Sequence, residues 1–115
     1  MARYAHLPIY NAAFSILKEL YLRVPKFAKN YKYTLGSRLL DAGQEIILLI
    51  IQANNDRIGR ADVLESLRRK IEELTILTRM GNELEQWGGE RIYLMLSEKI
   101  VGLSRQGEGW RKSAL

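Results

Sequence analysis

A chain of 115 residues with 47% hydrophobic and 27% charged side chains is sized and composed for one folded domain around one core, and not for a disordered tail. It contains no cysteine, which excludes disulfides, thiolate zinc sites and thiol nucleophiles. The net charge of +5 is unevenly placed: residues 1–38 hold seven Lys/Arg against Glu19 for +6, residues 39–70 balance five against five, residues 71–98 come to −4 and residues 99–115 to +3.

The N-terminal stretch MARYAHLPIYN lacks the uninterrupted apolar core of a signal peptide. The longest apolar run, Ile46 to Ile51, falls well short of the ~20 residues that cross a bilayer. The expectation is a cytoplasmic protein with no membrane contact. Pro8 suits the first turn of a helix, and Ile9, Ala13, Ile16, Leu17, Leu20 and Val24 follow at helical spacing until Pro25, so the first helix is predicted over 8–24.

The second is predicted over 31–54, opening at Tyr31 or Leu35 and closing at Asn54-Asn55, with Leu35, Leu39, Ala42, Ile46, Leu49 and Ala53 on one face. Its IILLII stretch has the composition of a buried strand, but the helical period continues through residues 38–45 without a cluster of turn residues, which favours the helix. A third helix is predicted over 62–86, opened by a capping box at Asp62-Val63-Leu64-Glu65 and carrying Leu64, Leu67, Ile71, Leu74 and Leu77 inward. After the turn Trp87-Gly88-Gly89, a fourth runs over 90–106 with Ile92, Leu96, Ile100 and Leu103 inward, followed by a basic tail, 107–115, or reaches Trp110 if Gly107 and Gly109 do not end it sooner. Four amphipathic helices on short connections predict a single all-α domain, an up-down-up-down antiparallel four-helix bundle.

Phe14 and Tyr21 fall off the core face of the first helix, and Leu48 and Ile51 off that of the second. Such surplus points to self-association, against the alternative of a broad core stripe with singly exposed apolar groups.

Catalytic constellations are missing from the pattern. His6, the one histidine, has no base or acid at a useful spacing, and a di-iron bundle needs two. Asp41 and Glu45 share a face, but acids early in a helix meet the favourable end of its dipole and Arg38 is placed to pair with Asp41. The glycines form no phosphate-binding fingerprint. No enzyme, cofactor, metal or small-molecule substrate is expected.

What does stand out is Tyr21 to Leu39, YLRVPKFAKNYKYTLGSRL, with five positive charges and no acid. Lys26, Lys29 and Lys32 interleave with Phe27, Tyr31 and Tyr33, placing cations beside rings able to stack on bases; Lys18 and Arg23 extend the run backward and Arg38 forward. Cations gathering at a helix C-terminus account for Arg23 and Lys26 but not for the continued rhythm to Arg38. Arg105, Arg111 and Lys112 form a second basic cluster, expected at the opposite end of the bundle. On the third helix Glu65/Arg69, Arg68/Glu72 and Arg69/Glu73 read as a self-neutralised face, with Arg79 left to Glu83.

LPIY at 7–10, YKYTLGSRL at 31–39, LLIIQAN at 48–54 and Gly-Trp-x-Lys-Ser at 109–113 resemble the accessory variability determinant (Avd) proteins of diversity-generating retroelements. The similarity runs from Leu7 to Ser113; YKYTLGSRL is its most specific part, and the rest is shared with four-helix proteins encoded by rRNA intervening sequences. The resemblance implies a four-helix protomer in a pentameric barrel that engages nucleic acid and a partner reverse transcriptase, without catalysis of its own, in support of error-prone cDNA synthesis from a template RNA. It marks Lys26, Lys29, Lys32 and Arg38 as RNA or cDNA contacts and Arg79 as a candidate for the polymerase or nucleic-acid face. Gly107 departs from the apolar residue the family pattern places there. An intervening-sequence protein, or a structural bundle that binds no nucleic acid, are the alternatives.

Overall fold

A computed structural model describes residues 4–114. Helix α1 (Pro8–Arg23) starts on Pro8, whose missing N–H costs nothing in a first turn, and buries Ile9, Ala13, Ile16, Leu17 and Leu20. At Pro25 the chain tightens into a 3-10 turn, Val24–Lys26, and Phe27 leaves it extended. The second predicted helix is divided: a single turn α2 (Lys29–Lys32) precedes α3 (Leu35–Asn55), with the break at Tyr33-Thr34. The IILLII run lies wholly inside α3.

The predicted capping box does not form. Helix α4 (Arg60–Glu83) begins two residues before Asp62, which sits inside the first turn without a side-chain cap bond. The connection is instead closed by Asp56, whose Oδ1 accepts the Gly59 N–H at 2.8 Å, and by Arg60, which donates to the Ala53 and Asn54 carbonyls at 2.7 and 3.1 Å. A guanidinium there satisfies carbonyls orphaned at the end of α3 and meets the negative end of its dipole.

Helix α4 stops at Glu83, short of the expected 86, because Glu85 takes a left-handed φ of 56° and the Gln86 N–H folds back to the Gly81 carbonyl at 2.8 Å. Trp87 then enters the core, donating Nε1–H to the Thr78 carbonyl at 2.9 Å and meeting Phe27 edge to face at 5.1 Å. A Cβ built on Gly81 would lie 2.6 Å from that indole nitrogen, so glycine is what lets the ring approach.

Helix α5 (Glu90–Ser113) corrects the expected boundary at 106 and the tail beyond it. Gly107 and Gly109 are carried through because the last turns are held by tertiary contacts: Gly107 faces Ile71 and Ile9, the Arg60 guanidinium lies 5.9 Å over the Trp110 ring, and Arg111 reaches Glu65 and Glu108. A glycine weakens a helix by only about 1 kcal/mol, less than such packing supplies. Leu115, the last residue of the predicted tail, lies outside the described residues.

The four long helices form an antiparallel bundle in which α1 packs on α3 and α5, and α4 on α3 and α5. The result is a rod of 43 × 22 × 22 Å with one continuous apolar core. Among the described residues no helix is long and apolar enough to cross a membrane.

Candidate nucleic-acid interface

Connections alternate between the two ends of the rod. At one end, the α1–α3 segment and the α4–α5 loop are joined by the Phe27–Trp87 contact and by the Ala28 N–H, which donates to Gln86 Oε1 at 2.8 Å. At the other, the close of α5 lies beside the start of α4 through Arg60–Trp110 and Arg111–Glu65. The two basic clusters therefore occupy opposite ends.

Lys26 and Lys29 are exposed, and among the described residues neither has a carboxylate within salt-bridge distance. Lys32 also lacks an ion pair; its Nζ lies 5.9 Å over the Tyr33 ring. Lys18, exposed and unpaired in the same sense, sits 5.3 Å over Phe14, two helical turns back along the flank. Arg23 is taken by Glu19 at 3.2 Å, so it is not a free cation of the cluster.

The rings divide as the pattern could not foretell. Phe27, read as a stacking residue, is 4% exposed and belongs to the core, Tyr31 packs partly against that core, and Tyr33 is 72% exposed. Arg38 does not pair with Asp41; it reaches across to Glu73 on α4 at 3.9 Å, the outer limit of an ion pair, and keeps 65% of its side chain exposed.

On α4 the cations are committed. Arg68 bonds Glu65 at 2.6 Å and Glu72 at 3.1 Å, Arg69 turns to Glu65 at 3.5 Å, and Arg79 to Glu83 at 3.4 Å. The expected Arg69–Glu73 pair is absent because Glu73 serves Lys70, at 3.2 Å, and Arg38. Lys70 also holds Glu45 of α3 at 2.6 Å, and that hydrogen bond raises its pKa. The hydrogen bond from Arg68 holds the Glu65 carboxyl below its ordinary range.

At the far end Arg111 is likewise committed, to Glu65 and Glu108, while Arg105 and Lys112 are exposed and without ion pairs among the described residues. Two exposed arginines escaped the sequence reading: Arg91, at the start of α5 on the lysine end, and Arg57, in the α3–α4 connection. Both lie in segments whose charge count is balanced or acidic. The lysine end is itself divided, since the neighbouring α4–α5 loop and its borders carry Glu83, Glu85 and Glu90. No group of three or more His, Asp or Glu that could hold a metal occurs among the described residues.

No protein-family model matches the sequence, and no curated protein is significantly similar to it.

Proposed function

We propose that this protein is a non-catalytic accessory protein that binds nucleic acid, and that its partner is a reverse transcriptase of a diversity-generating retroelement. The observation that carries the nucleic-acid part is the contrast between Lys26, Lys29 and Lys32, which no carboxylate among the described residues neutralises, and Arg68, Arg69 and Arg79 of α4, each held by glutamate. Unpaired surface lysines gathered on one short connection attract a phosphate backbone through charge alone. The retroelement part rests on the resemblance through YKYTLGSRL at 31–39. In this reading the lysine segment holds template RNA or cDNA, Arg38 lies at its edge, Arg105 and Lys112 offer a second contact at the far end, and Arg79 belongs to the face turned to the polymerase.

Binding titrations across salt test the first part. The affinity should fall with a slope of about −0.7 per phosphate contacted on single strands or about −0.9 on duplex DNA. Replacing Lys26, Lys29 and Lys32 together by Gln should lower both affinity and slope with the helical signal intact; an unchanged affinity removes this segment from the mechanism. Co-purification with the reverse transcriptase encoded beside the gene, next to an imperfect template and variable repeat pair, tests the second. Absence of such neighbours argues for the rRNA intervening-sequence relatives instead.

A further inference from the structure

A groove of roughly 540 Å³ runs between the Tyr31–Thr34 turn with the first turn of α3 on one side and the last turns of α4 on the other. Its volume lies in the range of sites that take flat organic groups, about 300–1,000 Å³. Buried Leu35 and Leu77 are joined in its lining by the exposed Met80, Leu84 and Tyr33. Among the described residues, Arg38 is the one charged side chain lining it, and no carboxylate does so. The Lys32 Nζ lies 5.9 Å over the ring of Tyr33, one of the lining residues.

From this arrangement we propose that the groove takes an unpaired base of a single-stranded nucleic acid, stacked on Tyr33 and lying over Met80 and Leu84, with the adjoining phosphates at Arg38 and Lys32. The proposal rests on the nucleic-acid reading above and adds to it a preference for single strands. The chemistry of the lining is what selects the occupant. An aromatic face and a soft thioether suit a flat ring, and a positive edge suits the phosphates that the sugar backbone carries beside each base. An apolar helix of a protein partner would meet a groove edged by the Lys32 ammonium, which has no ion pair among the described residues, and by Arg38, held to Glu73 only at 3.9 Å. A duplex keeps its base faces stacked on one another, so it meets the lysines through phosphate alone and leaves the groove empty.

The test compares a labelled unstructured strand with a duplex of equal length, both by fluorescence anisotropy across salt. Tyr33→Ala should weaken strand binding about tenfold, in line with base-aromatic stacking measured by alanine substitution, while leaving duplex binding and the salt slope as in the wild type. Tyr33→Phe should restore the strand affinity, since the ring face and not the hydroxyl is used. Met80→Glu, which puts a carboxylate into the groove, should also weaken the strand selectively. Because Tyr33 is exposed, its loss leaves the core intact, which circular dichroism checks. If Tyr33→Ala binds the strand as the wild type does while the triple lysine variant loses affinity, the groove proposal is overturned and the lysine reading stands; the groove is then free for a protein helix. If wild-type protein binds neither strand nor duplex, both fall.

Discussion

Gly81 and Gly109 show how one residue type has opposite meanings on two helices of the same bundle. At Gly81 an added Cβ would meet the Trp87 indole, which cannot yield because its Nε1–H is bonded to the Thr78 carbonyl. Gly81→Ala should therefore destabilise by about 1–3 kcal/mol, overpacking outweighing the helical preference of alanine. At Gly109 nothing lies within 4 Å of the built Cβ, so Gly109→Ala should stabilise by up to about 1 kcal/mol. Urea midpoints of the two variants check this, and a Gly81→Ala midpoint at or above the wild type would refute the assignment of Trp87 as a fixed wall. Neither outcome is readable from sequence, where Gly81 falls inside the third predicted helix and Gly109 in the tail beyond the fourth. Phe27 and Tyr33 teach the same lesson: six residues apart in one basic segment, they differ only in which one the Trp87 ring covers.

Helices are the scale at which sequence was most informative. The apolar spacing in α1, α3, α4 and α5 located each helix, and the structure moved its ends by what touches them. Arg60, Trp110 and Arg111 decide the end of α5 and the start of α4 together, and no local pattern records a contact made across half the chain. Glu65 is central to that junction, bonded by Arg68 and Arg69 on its own helix and by Arg111 on α5. Its pKa is lowered in the fold, first by the Arg68 hydrogen bond. A depressed carboxyl stabilises the fold above its unfolded pKa, and that contribution is lost as pH falls through the folded value. Glu65→Gln should therefore lower the urea midpoint near neutral pH, and the gap from wild type should close well below the ordinary carboxylate range. An equal gap at both pH values would show that Glu65 acts through shape alone.

Across the whole rod, exposed Phe14 and Tyr21 on α1 and Leu48 on α3 lie along neighbouring helices, with the Gln44 amide bonded to the Tyr21 hydroxyl between them. Ile51, expected on the same surplus face, is partly buried against the core. We propose that this flank carries the self-association; the number five comes from the resemblance. Apolar contact is not screened by salt whereas phosphate contact is, so the assembly should survive salt that abolishes nucleic-acid binding. Light scattering should give a multiple of the 13.3 kDa chain mass, and Leu48→Lys should return it towards one chain. Wild-type protein scattering as a single chain at micromolar concentration ends the proposal.

Composition, the 3.6-residue period and the short connections were enough to determine an all-helical bundle, because each long helix carries its own apolar stripe and needs only another such stripe to cover it. Charge counting was enough to single out the Lys26–Arg38 segment. Which of those cations remain unpaired, which ring faces solvent, and that Met80 and Leu84 form the far wall beside Tyr33 were settled only by tertiary structure. The reason is physical: ion pairing, ring burial and grooves depend on residues brought together from distant parts of the chain, and a local pattern does not contain the register between α3 and α4.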